Sequence, residues 1–276
     1  MSGKLYLVGT PIGNLGDFSP RAADALREAD FIAAEDTRVT LKLLNHFGIR
    51  KPMVSYFEHN KYASGAKIFE RILAGETCAL VTDAGMPAIS DPGEELVRLC
   101  AEGGVEVLTV PGPSALISAL ALSALPTGRF CFEGFLSTAN KSRREHLESL
   151  RSERRTMIFY EAPHKLTATL ADLSAVFGAE RRISLCRELT KLHEEVLRTT
   201  LGEAAAYYAE HAPRGEFVLI VEGAAPLAPE AVSEADALEA VRALIGQGLS
   251  RKDAVRRVSE QTGIPKNELY NAAVRE

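Results

Sequence analysis

Apolar residues along the first 112 positions come in short runs separated by stretches of helical period. The runs are Leu5–Val8, Phe31–Ala34, Met53–Tyr56, Cys78–Val81 and Val105–Val110. Most stop at a Gly, Pro, Asp or Thr, as buried parallel strands do where they meet their loops. Between them, Ala22, Ala25, Leu26 and Ala29, and later Leu96, Val97, Leu99 and Cys100, recur at 3.6-residue spacing, the second set with Glu94 and Glu95 in its first turn. Such alternation predicts an α/β fold with a doubly wound parallel sheet.

From Pro113 to Gly223 strand patterns dominate, at Phe130–Phe132, Met157–Tyr160, Ile183–Cys186, Val196–Thr200 and Phe217–Val221, which reads as a second lobe. The stretch Ala224–Glu230 carries two prolines and no period, the mark of a linker. Three short helical patterns follow, around Ala237–Ile245, Ser250–Thr262 and from Lys266 on. Ser250 with Asp253 makes a variant capping box. The expected organisation is an N-terminal α/β lobe over 1–112, a C-terminal α/β lobe over 113–226 and a helical appendix over 227–276.

A chain of 276 residues has room for two such lobes, and 46% hydrophobic with 25% charged residues is ordinary globular composition. The net charge of −5 excludes a global polycation, so a nucleic-acid site must be a local basic patch. Two patches stand out: Lys141, Arg143 and Arg144, which lack acidic residues among them, and Arg251 with Lys252, followed by Arg256, Arg257 and Lys266. The second half of the Lys141–Arg155 stretch, interleaved with Glu145, Glu148 and Glu153, reads as a solvated helix face. Cys78, Cys100, Cys131 and Cys186 form no C-x-x-C pair and read as reduced, packed thiols. No run reaches the ~18 residues a membrane span needs, and Met1-Ser2-Gly3-Lys4 leads into a strand rather than a signal peptide, so a cytoplasmic location is expected.

Candidate chemistry sits where strands end. Gly9-Thr10-Pro11-Ile12-Gly13-Asn14-Leu15-Gly16-Asp17 follows the first strand, and its glycines would let a ligand approach the backbone. It lacks both the dinucleotide G-x-G-x-x-G spacing and the P-loop ending, and by itself fits a plain strand-to-helix turn equally well. The loop from Thr82 to Gly93 is far longer than the two to six residues such a connection takes, which points to ligand binding at the strand ends. Val110-Pro111-Gly112-Pro113-Ser114-Ala115 adds a third loop to the same sheet edge.

Six blocks in one order carry a family resemblance: Val8–Asp17, Ala34–Arg38, Thr82–Gly93, Val110–Ala115, Phe159–Lys165 and Cys186–Glu194. Together they resemble the bacterial 16S rRNA (cytidine-2′-O)-methyltransferase family, within the tetrapyrrole methylase-like (class III) S-adenosylmethionine-dependent enzymes. The helical tail with Leu269-Tyr270 resembles that family's appendix.

The resemblance implies a two-lobed methyltransferase, a homodimer, with S-adenosylmethionine in the cleft between lobes and small-subunit ribosomal RNA, in an assembled particle, as partner. Pro11 would face the adenosyl group. Asp83, Ala84 and Gly85 would occupy the position of the Gly-Gly-Asp loop, whose acidic residue aligns with Gly85. Ile89, Ser114 and Ala115 would add contacts, and Tyr160 and Glu216 would line the cofactor from the second lobe.

A ribose hydroxyl is weakly acidic, so a base or a charge that stabilises the alkoxide is expected; the candidates are His164, Glu188 and Lys191. Glu35, Asp36 and Arg38 fit either RNA positioning or a helix cap, and His46, His59 and His211 are assigned to structure. Two rival functions share parts of this pattern: a methyltransferase on a small tetrapyrrole, and an RNA-binding module without chemistry.

Overall fold

The computed structural model describes residues 2–225 and 233–275. It divides into two compact units, Met1–Ala224 and Ala225–Glu276. The expected linker at Ala224–Glu230 lies outside the described residues from position 226 on, as does the appendix boundary at 227.

All ten strand patterns form strands. The first sheet comprises β1 (Lys4–Val8), β2 (Phe31–Ala34), β3 (Met53–Ser55), β4 (Cys78–Val81) and β5 (Glu106–Val110), in the order β3-β2-β4-β1-β5. Every pairing is parallel. β2 and β4 are buried along their whole length, which is why they read as unbroken apolar runs. The covering helices are α1 (Pro20–Glu28), α2 (Thr37–His46), α3 (Lys61–Leu73) and α4 (Glu94–Glu102). Ser19 caps α1 by accepting from the Ala22 amide at 3.1 Å, with Pro20 at the first helical position, where its missing N–H costs nothing. The chain leaves β1 toward β2 and returns through β4, so the β1 and β4 loops flank the point where strand order reverses.

The second sheet has β6 (Phe130–Phe135), β7 (Thr156–Glu161), β8 (Arg182–Arg187), β9 (Glu195–Thr200) and β10 (Phe217–Val221), in the order β6-β7-β10-β8-β9. Only β6 and β7 are parallel. Four helices accompany it: α5 (Ala115–Leu122), α6 (Asn140–Ser149), α7 (Pro163–Phe177) and α8 (Leu201–Glu210). The reading of this lobe as strand-dominated missed α7 and α8. Their apolar sides are wide because each packs on the sheet and on its neighbour; Leu166, Leu170, Leu173 and Phe177 share one core with Leu201, Ala204 and Tyr208. The expected helix over the second half of Lys141–Arg155 is corrected as well, since α6 stops at Ser149 and a turn carries Arg151–Arg155 to β7.

The second unit holds α9 (Glu234–Gly246), α10 (Arg251–Thr262) and α11 (Lys266–Arg275) around Ala237, Val241, Ala254, Val255, Val258 and Leu269. Ser250 caps α10 as its spacing predicts, accepting from the Asp253 amide at 3.2 Å, and Gly263 ends the helix in the left-handed conformation.

Candidate active site

Three strand-end loops are locked to one another at the edge of the first sheet. Thr10 and Gly85 exchange backbone hydrogen bonds at 2.9 and 3.1 Å, and Thr10 Oγ1 donates to the Thr82 carbonyl at 3.0 Å. Gly9 and Gly112 meet backbone to backbone: a Cβ on Gly9 would lie 2.6 Å from Gly112 Cα. The β2 loop joins through the Asp36 amide, which donates to Asp83 Oδ1 at 3.1 Å, while the Asp83 amide donates to Glu35 Oε2 at 3.3 Å. The extra length of the Thr82–Gly93 loop folds back on itself, placing Ala88 and Ser90 at φ 70° and 61°. Non-glycine residues in that region cost on the order of 1 kcal/mol each, and such strain collects at functional sites.

These loops form one wall of a cleft of about 710 Å³, and the ends of β6 and β7 with the start of β10 form the other. Its size suits a small cofactor. Of the expected cofactor residues, Asp83, Ala84, Gly85, Ile89, Ser114, Ala115, Tyr160 and Glu216 all line it. Pro11 does not. The Thr10–Gly85 bridge turns Pro11 into an adjoining recess beside Val39 and Leu43 of α2, and Ile12 lines the cleft instead.

The cleft is acidic: Glu35, Asp83, Asp91, Glu161 and Glu216 line it, and no lysine, arginine or histidine does among the described residues. Burial raises the Asp91 carboxyl to about 7, helped by the charges of Glu35 and Asp83. Burial likewise raises Glu35 and Asp83 above the usual carboxylate range. Glu161 has a structural task, accepting from the Thr169 hydroxyl at 2.5 Å and from the Ala162 amide at 2.8 Å, which ties β7 to α7. The remaining wall is apolar and aromatic, with Phe135 tilted at 60° against Tyr160 at a ring separation of 5.5 Å.

Glu188 and Lys191 lie on the turn after β8 and reach the cleft through Glu216. Lys191 Nζ sits 2.9 Å from both Glu188 Oε1 and Glu216 Oε2. Burial alone would lower the Lys191 pKa, but the bonds to Glu188 and Glu216 outweigh it and raise it. Glu188 is held low, first by the Glu216 amide and then by Lys191. At neutral pH Lys191 is therefore an ammonium and Glu188 a weakly basic carboxylate, and the two charges offset each other. The turn is strained, with Glu188 and Thr190 at φ 51° and 66°, and it presses on the first loop: a Cβ on Gly13 would fall 2.5 Å from Lys191 Cγ. His164 stands exposed in the first turn of α7, outside the cleft lining, although Ala162 and Pro163 belong to it.

Asp36 is the N-cap of α2, accepting from the Arg38 amide at 2.8 Å and pairing with the Arg38 side chain at 2.6 Å, so the helix-cap reading holds for these two while Glu35 faces the cleft. Sequence reasoning also passed over Asp91. Its signal was the unexplained length of the loop that carries it.

The first basic patch is smaller than expected. Arg143 turns inward to Asp172 of α7 at 2.6 Å, with only 14% of its side chain exposed, which leaves Lys141 and Arg144 as its outward charges. Arg251 and Lys252 are exposed in the first turn of α10, where the helix dipole disfavours cations and Asp253 partly compensates.

Comparison with known proteins places this geometry among relatives. Residues 4–205 match the family described as Tetrapyrrole (Corrin/Porphyrin) Methylases, and residues 231–276 match the RsmI C-terminal HTH domain. The chain is 50% identical to "Ribosomal RNA small subunit methyltransferase I" of Synechocystis sp. over 99% of this chain and 98% of that one. It is 45% identical to the protein of the same name from Escherichia coli O157:H7, over 99% and 95%. Among solved structures, uroporphyrin-III-C-methyltransferase from Thermus thermophilus superposes with a TM-score of 0.57 at 19% identity, over 79% of this chain and 94% of that one. Diphthine synthase gives 0.61 at 16% identity, over 80% and 90%. At those identities the structures speak for the fold.

Proposed function

We propose that this chain, which belongs to the tetrapyrrole methylase family and within it to the ribosomal RNA small subunit methyltransferase I group, methylates the ribose 2′-oxygen of a cytidine in 16S ribosomal RNA with S-adenosylmethionine as donor. The observation that carries the reading is the convergence of separate sequence blocks on a single acidic, partly apolar cleft at the sheet's reversal point.

The residues present fit the cofactor. When bound, S-adenosylmethionine supplies an electrophilic methyl group on a positively charged sulfur. Glu35, Asp83 and Asp91, which have no ion-pair partner among the described residues, suit a sulfonium, and Ile12, Phe135 and Tyr160 offer apolar surface for an adenine. The N-terminus of α5 at Ser114–Ala115 suits a carboxylate group. Asp83, Ala84, Gly85 and Ile89 would hold the cofactor from the first lobe, and Tyr160 and Glu216 from the second.

For the acceptor hydroxyl, the chain offers two devices at the cleft. The Asp91 carboxyl, raised to about 7, is poised to accept a proton near neutral pH. Lys191, held by Glu188 and Glu216, chiefly fixes Glu216 at the cleft and leaves a smaller share of its charge for a developing alkoxide. His164 would act only if RNA brought the reacting nucleotide to the α7 terminus. Lys141 and Arg144, and Arg251 and Lys252 in the appendix, are the proposed phosphate contacts.

The working form is a cytoplasmic homodimer acting on an assembled small subunit; no helix among the described residues is long and apolar enough to cross a membrane. The test is transfer of radiolabelled methyl from S-adenosylmethionine to small subunits lacking the modification, with the labelled nucleoside identified after digestion. Label on a cytidine 2′-oxygen is expected. Label on a tetrapyrrole precursor instead, with none on rRNA, overturns the substrate.

A further inference from the structure

The β6–β10 sheet has the acidic cleft at one edge and a basic face at the other. At the cleft edge, where β6, β7 and β8 end and β10 begins, the lining is acidic. At the other edge, where β6, β7 and β8 begin and β9 and β10 end, two neighbouring recesses are basic. One, of about 670 Å³, is walled by Arg129 before β6, by Ser149 and Ser152 at the end of α6, and by Arg154 and Arg155 before β7. The other includes Arg182 at the start of β8 and Arg198 near the end of β9. Together they hold five arginines against two glutamates, Glu153 and Glu203.

The arginines divide by what already occupies them. Arg155 is closed into an ion pair with Glu153 at 2.7 Å. Arg182 reaches Glu222 at 3.4 Å, and Arg198 donates to the Leu122 carbonyl at 3.0 Å, so both are held in place, and Arg198 has no carboxylate partner among the described residues. Arg129 and Arg154 are exposed and have no side-chain partner among the described residues. The helix dipole does not explain them, because Arg129 lies outside α6 and Arg154 is five residues past its end; Arg151, nearer that terminus, is paired with Glu148 at 3.0 Å. Two unpaired guanidinium groups flanking a groove with serine hydroxyls are the donor set of a phosphate-backbone site.

We propose that the groove bounded by Arg129 and Arg154 binds the sugar-phosphate backbone of the RNA substrate away from the nucleotide in the cleft. This rests on the rRNA reading above. Six-residue strands separate the two edges by roughly 17–20 Å. α6 spans about 15 Å between them, with Lys141 and Arg144 at its start and the groove at its end. The acidic cleft repels phosphate, so an RNA strand is held by basic anchors outside the cleft, one at each end of α6.

The test compares wild type with Arg129→Glu/Arg154→Glu and with the milder Arg129→Gln/Arg154→Gln, measuring binding to small ribosomal subunits lacking the modification across a salt series. Cofactor affinity and Tm are read alongside to show that the variants are folded. The expected result is at least a tenfold loss for the glutamate variant at low salt. In both variants the slope of log K against log salt should fall by about two, with cofactor affinity unchanged. An unchanged slope in both overturns the inference, and a changed oligomeric state with that unchanged slope reassigns the groove to a protein interface. Wild type that labels subunits while the variants bind like it removes only this inference; wild type that neither binds nor labels them removes the rRNA reading with it.

Discussion

Arg143 and Asp172 form a two-pronged ion pair, Nε at 2.7 Å and Nη2 at 2.6 Å from the same Oδ2, that ties α6 to α7 with both side chains at least four-fifths shielded. An arginine in that position holds the helices together rather than presenting itself to phosphate. Arg143→Ala is expected to lower stability by about 1–3 kcal/mol in urea unfolding, because it strands a partly buried carboxylate. Lys141→Glu with Arg144→Glu should leave stability within about 0.5 kcal/mol while weakening RNA binding in a salt-dependent way. The reverse assignment, with Arg143→Ala stable but poor at RNA binding, would restore the charge-run reading of this segment.

Gly9 and Gly112 bring the backbones of the β1 and β5 loops together behind the cleft lining. A methyl group at either would stand 2.6–2.8 Å from the other's backbone, and no side chain can move to relieve it. Gly9→Ala or Gly112→Ala should therefore separate the β1 and β5 loops, at a cost of about 1–3 kcal/mol, and weaken S-adenosylmethionine binding at least tenfold by calorimetry. Wild-type affinity in both variants would show that the loop contact does not shape the cleft.

The sheet of the first lobe was legible because buried parallel strands such as Phe31–Ala34 and Cys78–Val81 leave an unmistakable signature. α7 and α8 were not, since a helix packed on two sides loses the polar stripe that marks a surface helix. In the cleft, the loops could be located from length and glycine content, but which way a side chain points depends on contacts distant in sequence. Pro11 is turned aside by the bridge its neighbour Thr10 makes to Gly85, 75 positions later, and Arg143 is drawn inward by an aspartate 29 positions away. Lys191 was legible as a charge but not as one clamped by two carboxylates, because Glu216 arrives from the loop before β10, 25 positions later.

Asp91 should leave a pH signature on stability. Its carboxyl titrates at about 7 in the folded chain and near 4 when unfolded, so between those values the folded state binds the extra proton. Stability from this group is then greatest below pH 4, falls as pH rises to about 7, and is level above it. Asp91→Asn removes that slope. Urea unfolding at pH 5 and pH 8 should show a larger decline in wild type than in the variant, by about 1–2 kcal/mol after solvent screening of a half-buried group. Equal declines would mean that burial, with the charges of Glu35 and Asp83, does not hold Asp91 in its acid form. With the cofactor, the same titration predicts tighter binding of the sulfonium above pH 7 than below it, a difference Asp91→Asn should lose.

Lys191 gives the sharpest separation between a reacting group and a positioning one. Its ammonium is fixed by Glu188 and Glu216, and Glu216, 80% exposed along its side chain, has no other ion-pair partner among the described residues to keep it against the cleft. Lys191→Met frees Glu216 and leaves Glu188 with the Glu216 amide and the more distant Arg187 charge to offset its own. If the lysine chiefly positions Glu216, the Kd for S-adenosylmethionine should rise about three- to tenfold, the pH profile of kcat should keep both limbs, and Lys191→Arg should restore most of the affinity. If it stabilises the developing alkoxide, kcat should fall at least a hundredfold with Kd unchanged, because removing one preorganised charge from a site of charge development costs several kcal/mol. The double salt bridge favours a mixed result weighted to the first, since an ammonium already neutralised by two carboxylates projects little charge toward a third oxygen. Loss of kcat alone, not rescued by arginine, would assign Lys191 to the reacting atoms and release Glu216 from the cofactor site.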